Sequence, residues 1–177
     1  GFSGRSLHKE EKAPKYLNSP DTILFNKSEI LYGLHLAKTE IRRKDFSVIV
    51  EGQVDLVLSQ QAGVTNTGAS SGTAITETHL KELRQLSNRI VIAFDSDEAG
   101  FKATNRTALI ALTLGMEVKV ASLPKGKDPA DLVSEDPVLW KNTLRNTKHI
   151  IDFYIDHFLA KTNDKRTLGK FMTAHVL

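Results

Sequence analysis

The chain has 177 residues, 40% hydrophobic and 25% charged, which is enough for one globular domain with a core and a small appendage. It holds no cysteine, which excludes a disulfide framework and a thiolate-bound zinc. It has no apolar run long enough to span a bilayer and no signal-peptide pattern at its start, so a cytoplasmic protein without membrane contact is expected. The net charge is +3, and the first 44 residues are rich in lysine and arginine, ending in Arg42-Arg43-Lys44. That suits a phosphate-bearing partner, and equally a solvated charged face.

In chain order, residues 1 to 25 read as irregular, broken by Gly1, Gly4, Pro14 and Pro20. Asn26 followed by Glu29 has capping-box spacing, and the pattern predicts a helix from there through Ile30, Leu34, Ala37 and Ile41. Val48-Ile49-Val50 reads as a short buried strand ending at Glu51-Gly52. A helix over 54–61 follows, stopped by Gly63, and then a weak strand over 64–69. Thr76 can cap a helix carrying Leu80, Leu83 and Leu86. Ile90 to Phe94 is the clearest strand and ends at Asp95-Ser96-Asp97. A longer helix runs to Leu114 with Gly115 behind it, and a last strand over 118–123 leads into Pro124-Lys125-Gly126-Lys127-Asp128-Pro129. Continuous apolar strands alternating with helices predict an α/β fold, a parallel sheet covered on both faces. After residue 134 the pattern is helical, with Ile151, Tyr154, Ile155, Phe158 and Leu159 on one stripe. The expected organisation is a basic N-terminal segment over 1–44, an α/β unit over 45–134 and the start of a helical subdomain over 135–177.

Ligands of open parallel sheets bind at the carboxyl ends of the strands. Glu51, Asp95, Asp97 and Asp128 all fall there, and acids crowded together need a compensating cation. Oxygen ligands with few histidines favour magnesium or manganese over zinc. An acid at a strand end can also simply cap the next helix, a role open to Asp95 and Asp97. The Asp-x-Asp alone is weakly specific. Haloacid-dehalogenase phosphatases place theirs after the first strand, and receiver domains put their acids on the first and third strands with a lysine after the fifth. Neither layout fits.

Glu-Gly followed by Asp-x-Asp on the first and third strands of this unit resembles the toprim domain of bacterial primases, topoisomerases and some nucleases. Four segments resemble bacterial DNA primase in particular. They are Glu51-Gly52-Gln53-Val54-Asp55, Ala69-Ser70-Ser71-Gly72-Thr73-Ala74-Ile75-Thr76, Phe94-Asp95-Ser96-Asp97-Glu98-Ala99-Gly100 and Gly126-Lys127-Asp128-Pro129. Upstream, Pro14-Lys15-Tyr16-Leu17-Asn18-Ser19-Pro20 matches a signature that other toprim proteins lack. The likeness runs from Gly1 to about Val133. The chain departs from the pattern at Gln53, Val54 and Ser71. It also departs after Asp128, where Ala130 precedes Asp131 and the shift redirects the side chain.

The resemblance implies a toprim domain preceded by part of a basic α+β subdomain and followed by a helical one. It implies templated synthesis of an RNA primer from ribonucleoside triphosphates on single-stranded DNA. Glu51, Asp95 and Asp97 would hold magnesium or manganese, with Asp55 and Asp128 completing an acidic ring. Arg5, Lys15, Asn18 and Lys27 would contact nucleotide or nascent-strand phosphates. The chemistry would be in-line attack of a ribose 3′-hydroxyl on the α-phosphate of an incoming nucleotide, with pyrophosphate leaving, in a site whose metals typically sit about 3.5–4 Å apart. Glu51 can serve as general base or as ligand alone. The expected piece of core is monomeric. It lacks the zinc-binding and helicase-binding domains through which the longer protein would reach a replicative helicase, and it should bind metal and nucleotide with little primer synthesis.

Lys27 carries a separate expectation. Directly after a cap at Asn26 it would sit at the positive end of a helix, a mild mismatch of about 0.3–1 kcal/mol that makes sense if lysine and helix terminus bind phosphate together. Two other readings remain open to the sequence. Another toprim catalyst such as a topoisomerase would need a tyrosine nucleophile, and Tyr16, Tyr32 and Tyr154 stand in no recognisable context. A non-catalytic nucleic-acid-binding module would have no use for Glu51, Asp95 and Asp97.

Overall fold

A computed structural model describes residues 2–5, 16–161 and 169–170, with the backbone alone for Arg5, Tyr16 and Lys161. Its centre is a five-stranded sheet formed by β3 (Ser47–Val50), β4 (Thr67–Ala69), β5 (Arg89–Ile92), β6 (Glu117–Val120) and β7 (Lys148–His149) in the order β4-β3-β5-β6-β7. The first four are parallel, and β7 is an antiparallel edge. β3 and β4 are buried on both faces, as the apolar run Val48-Ile49-Val50 demands of β3.

Helices cover both faces. Ile41 of α1 (Leu34–Lys44), Leu80 and Leu83 of α3 (Glu77–Arg84), Ala108 and Ala111 of α4 (Glu98–Thr113), and Ile150, Tyr154 and Phe158 of α7 (Ile150–Lys161) form one core with Ile49, Ile90 and Ile92. On the other face Leu56 of α2 (Gln53–Gln61), Leu132 of α5 (Pro129–Glu135) and Trp140 of α6 (Pro137–Arg145) pack with Val48, Val50 and Val91. The residues after 134 thus contribute to both cores. Tyr154 reaches across to α4, its hydroxyl donating to Asn105 Oδ1 at 2.6 Å.

Three sequence expectations about the elements are corrected. The stretch read as irregular contains an antiparallel pair, β1 (Ser3–Arg5) with β2 (Tyr16–Asn18), in the register Ser3 to Asn18. Its strands are three residues long, and Phe2 and Leu17 are exposed, so no alternation marks them. Likewise β7 is two residues inside a stretch that reads as helical.

The helix expected to start after Asn26 begins at Leu34. The Asn26 side chain instead closes a turn, its Oδ1 accepting from Ser28 N at 3.0 Å and from Ser28 Oγ at 2.7 Å, an alternative open to any Asn. The chain then runs extended, and Tyr32 exchanges two backbone hydrogen bonds of 3.0 Å with Ala69 on the open edge of β4. Gly33 makes the corner into α1 at φ 79°, where a Cβ would lie 2.5 Å from Leu56 Cδ1.

Candidate active site

The acids converge because β3 and β5 are neighbours. Glu51 follows β3, Asp95 follows the short extension of β5, and the Asp95 amide donates to Glu51 Oε1 at 3.3 Å. Asp55 lies one turn into α2, where its carboxylate accepts from Gly52 N at 2.9 Å and from Ala130 N at 3.1 Å. The second bond ties α2 to α5 and brings Asp128 close. Glu51, Asp55, Asp95 and Asp128 line one cleft of about 290 Å³, shared with Ser3, Asn18, Gln53, Ser71 and Gly72.

Asp97 and Asp128 also cap helices. Asp97 Oδ1 accepts from Gly100 N at 2.7 Å at the start of α4. Asp128 Oδ1 accepts from Asp131 N at 2.7 Å at the start of α5, and the Asp131 carboxylate in turn accepts from Asp128 N at 3.2 Å. Asp131 is therefore turned into its own capping box. A capping carboxylate uses one oxygen and keeps the other, so capping and ligand roles are compatible. Asp97 is exposed and lines a second cleft, with Asp95, Lys125 and Phe153. Asp95 belongs to both clefts.

The electrostatics are those of an under-neutralised acidic site. Burial pushes the Glu51 carboxyl above the usual range, and the charges of Asp95, Asp97 and Asp55 push it further, against the Asp95 amide bond. Asp55 is raised to about 6, first by burial and then by Asp128, although two backbone amides oppose the shift. Among the described residues, no three of His, Cys, Asp or Glu are grouped so as to hold an ion by themselves. A donor set of this kind fits magnesium, which keeps several waters and takes one or two carboxylates beside substrate phosphates.

Asn18 and Lys27 line a neighbouring cleft of about 280 Å³ with Phe25, Ile30, Tyr32 and Ser70. This cleft shares Ser3, Asn18, Gln53 and Ser71 with the acidic one. Asn18 Nδ2 donates to the Ser71 carbonyl at 3.3 Å, which ties β2 to the loop after β4. The Arg5 side chain and Lys15 lie outside the described residues. Lys27 does not stand at a helix N-terminus, because α1 starts seven residues later. Lys27 therefore gains nothing from a helix dipole, while its place on the cleft wall remains. The sequence reading missed Gln53 and Ser71 as wall residues. Ser71, a non-glycine at φ 56° in a Ser-Ser-Gly loop, is the trace that could have marked this wall.

Comparison with known proteins agrees with this arrangement. Residues 48–133 match the family described as Toprim-like, and residues 1–38 match the N-terminal domain of the DNA primase catalytic core. The chain is 40% identical over 161 residues to DNA primase of Campylobacter jejuni, covering 90% of this chain and 26% of that protein. It thus spans about a quarter of the length of the curated relatives it matches. The RNA polymerase domain of Mycobacterium tuberculosis primase DnaG superposes with TM-score 0.82 at 32% identity, over 92% of this chain and 56% of that one. A DnaG primase catalytic domain bound to single-stranded DNA superposes with TM-score 0.80 at 29% identity, over 98% of this chain and 57% of that one. With the segment likeness, the parallel toprim sheet and these relatives in agreement, the chain belongs to the bacterial DNA primase family and carries toprim-containing catalytic core.

Proposed function

We propose that the acidic cleft is the nucleotidyl-transfer site of a primase, which joins ribonucleotides into a short RNA primer on single-stranded DNA. The observation that carries this reading is the convergence of Glu51, Asp55, Asp95 and Asp128 on one cleft, with Glu51 and Asp55 both held above their ordinary pKa. Such acids are stabilised by a cation. Glu51, Asp95 and Asp97 would hold magnesium or manganese, which when bound would supply positive charge to the triphosphate and to the attacking hydroxyl. Asp55 and Asp128 add negative charge beside these ligands, and Asp55 keeps α5 against α2.

Asn18 and Lys27 would hold the phosphates from the adjoining cleft, with Arg5 and Lys15 as further cationic contacts. A fixed lysine there opposes the charge that develops on the leaving phosphates. The solved primase relative with single-stranded DNA supports the same class of template here. The reading extends to ribonucleoside triphosphates and primer RNA as partners. It also extends to a replicative helicase engaged through parts of the longer protein outside this chain.

The test is primer synthesis on single-stranded DNA by the full-length protein, with Glu51→Gln beside it. Loss of a ligand carboxylate removes several kcal/mol of charge stabilisation, so priming should fall by about a hundredfold or more with the circular dichroism unchanged. Priming by the variant at the wild-type rate contradicts the proposal.

A further inference from the structure

Lys27 is held in place by a helix far from it in sequence. The hydroxyl of Thr76, the N-cap of α3, donates to the Ser28 carbonyl at 2.7 Å across 48 residues. The same oxygen accepts from His79 N at 3.3 Å, and His79 Nδ1 accepts from Thr76 N at 3.2 Å. His79 is fully buried. Its Nε2 is enclosed without a hydrogen bond of ordinary geometry. On its other side the turn is held by Asp21, whose Oδ1 accepts from Lys27 N at 3.3 Å. Asn26 closes the turn internally. The backbone that carries Lys27 is thus clamped from α3, from Asp21 and from within.

An ordinary N-cap needs only the amides of its own helix. Here the cap has a second partner, and that partner neighbours Lys27, the one lysine among the described residues on the wall of the phosphate cleft. The residue that completes the box is also unusual. A glutamate or glutamine normally fills this third helical position. Glutamate would place a carboxylate beside a turn that has to meet a polyanion. Imidazole caps without that charge, because burial pushes its pKa down, against a smaller opposing contribution from the Lys27 backbone.

We propose that Thr76 and His79 are positioning residues for the nucleotide, acting by fixing the 26–29 turn so that Lys27 faces the cleft it shares with Asn18. The proposal rests on the reading of Lys27 as a phosphate contact. They touch no substrate; their contribution is the placement of one amine.

The experiment titrates the full-length protein, in millimolar magnesium, with a fluorescent ribonucleoside triphosphate and with the matching monophosphate. Lys27→Ala should weaken triphosphate binding about tenfold, the worth of one charge-assisted hydrogen bond. Monophosphate binding and the melting temperature should barely move. Thr76→Val and His79→Leu should each lower the triphosphate-to-monophosphate preference about threefold, part of that loss, and Thr76→Ser should restore it. Asp136→Ala serves as the structural control. It removes the α6 cap, where Asp136 Oδ1 accepts from Val138 N at 2.8 Å, and should lower the melting temperature without changing the preference. Unchanged triphosphate affinity in Lys27→Ala overturns the phosphate role of Lys27 and the proposal with it. A weakened Lys27→Ala beside Thr76→Val and His79→Leu of wild-type preference overturns the positioning role alone, as does an equal shift in Asp136→Ala.

Discussion

Asp55 bears a cost in the cleft, being buried, close to Asp128 and raised to about 6 from an ordinary 3.8. The sign of the consequence is fixed by linkage. An acid whose folded-state pKa exceeds its unfolded value favours the fold while protonated, so its contribution is complete below about 3.8 and is lost as pH rises through about 6. The shift corresponds to at most about 3 kcal/mol. Without divalent ions, the melting temperature of wild type relative to Asp55→Asn should therefore fall between about pH 4 and pH 6, and millimolar magnesium should recover part of the loss. A difference between the two proteins that does not vary over that interval would show that Asp55 carries no such burden. At this scale Glu51, Asp95 and Asp97 were legible, because an apolar run fixes where a strand ends and hence which acid follows it. The setting of Lys27 was not, because the Asn26–Glu29 spacing serves an Asn-closed turn as well as a helix cap. The hold of Thr76 on Ser28 was hidden for a different reason, since no local pattern records a bond across 48 residues.

The elements set how closely these residues approach. α4 starts so near the end of β5 that a Cβ on Gly100 would lie 2.0 Å from the Asp95 carbonyl oxygen. Gly100 is buried, and its amide also donates to Asp97. A glycine here costs helix propensity but permits the contact that holds both aspartates. Gly100→Ala should force α4 and the 95–97 loop apart, lowering stability by about 1–3 kcal/mol and reducing priming. Urea denaturation with the priming assay checks this, and an unchanged midpoint with full activity would contradict the packing account. The long elements were legible because period and burial coincide. β3 and β5 are unbroken apolar runs, Thr76 caps where its spacing predicts, and Gly63 and Gly115 stop helices at positive φ. β1, β2 and β7 were not, since strands of two or three residues with exposed sides leave no period to read. α1 starts late because Tyr32 pairs with Ala69, a tertiary contact that overrides the local pattern.

Across the whole molecule, the parallel order of β4, β3, β5 and β6 brings acids from three chain segments to one rim of the sheet. Cores on both faces hold that rim rigid. The fold class followed from alternating strands and helices. The clustering of acids followed from the rule that ligands bind at strand ends, but the pairing of two adjoining clefts through Asn18 and Ser71 became visible only in three dimensions. The central claim is that this rim is a divalent-ion site, and manganese tests it directly. Crystals soaked in millimolar manganese should show anomalous density within coordinating distance of Glu51 and of Asp95 or Asp97, and the same soak of Glu51→Gln should lose it. Absence of an ion at these carboxylates in the wild-type crystals would contradict the account.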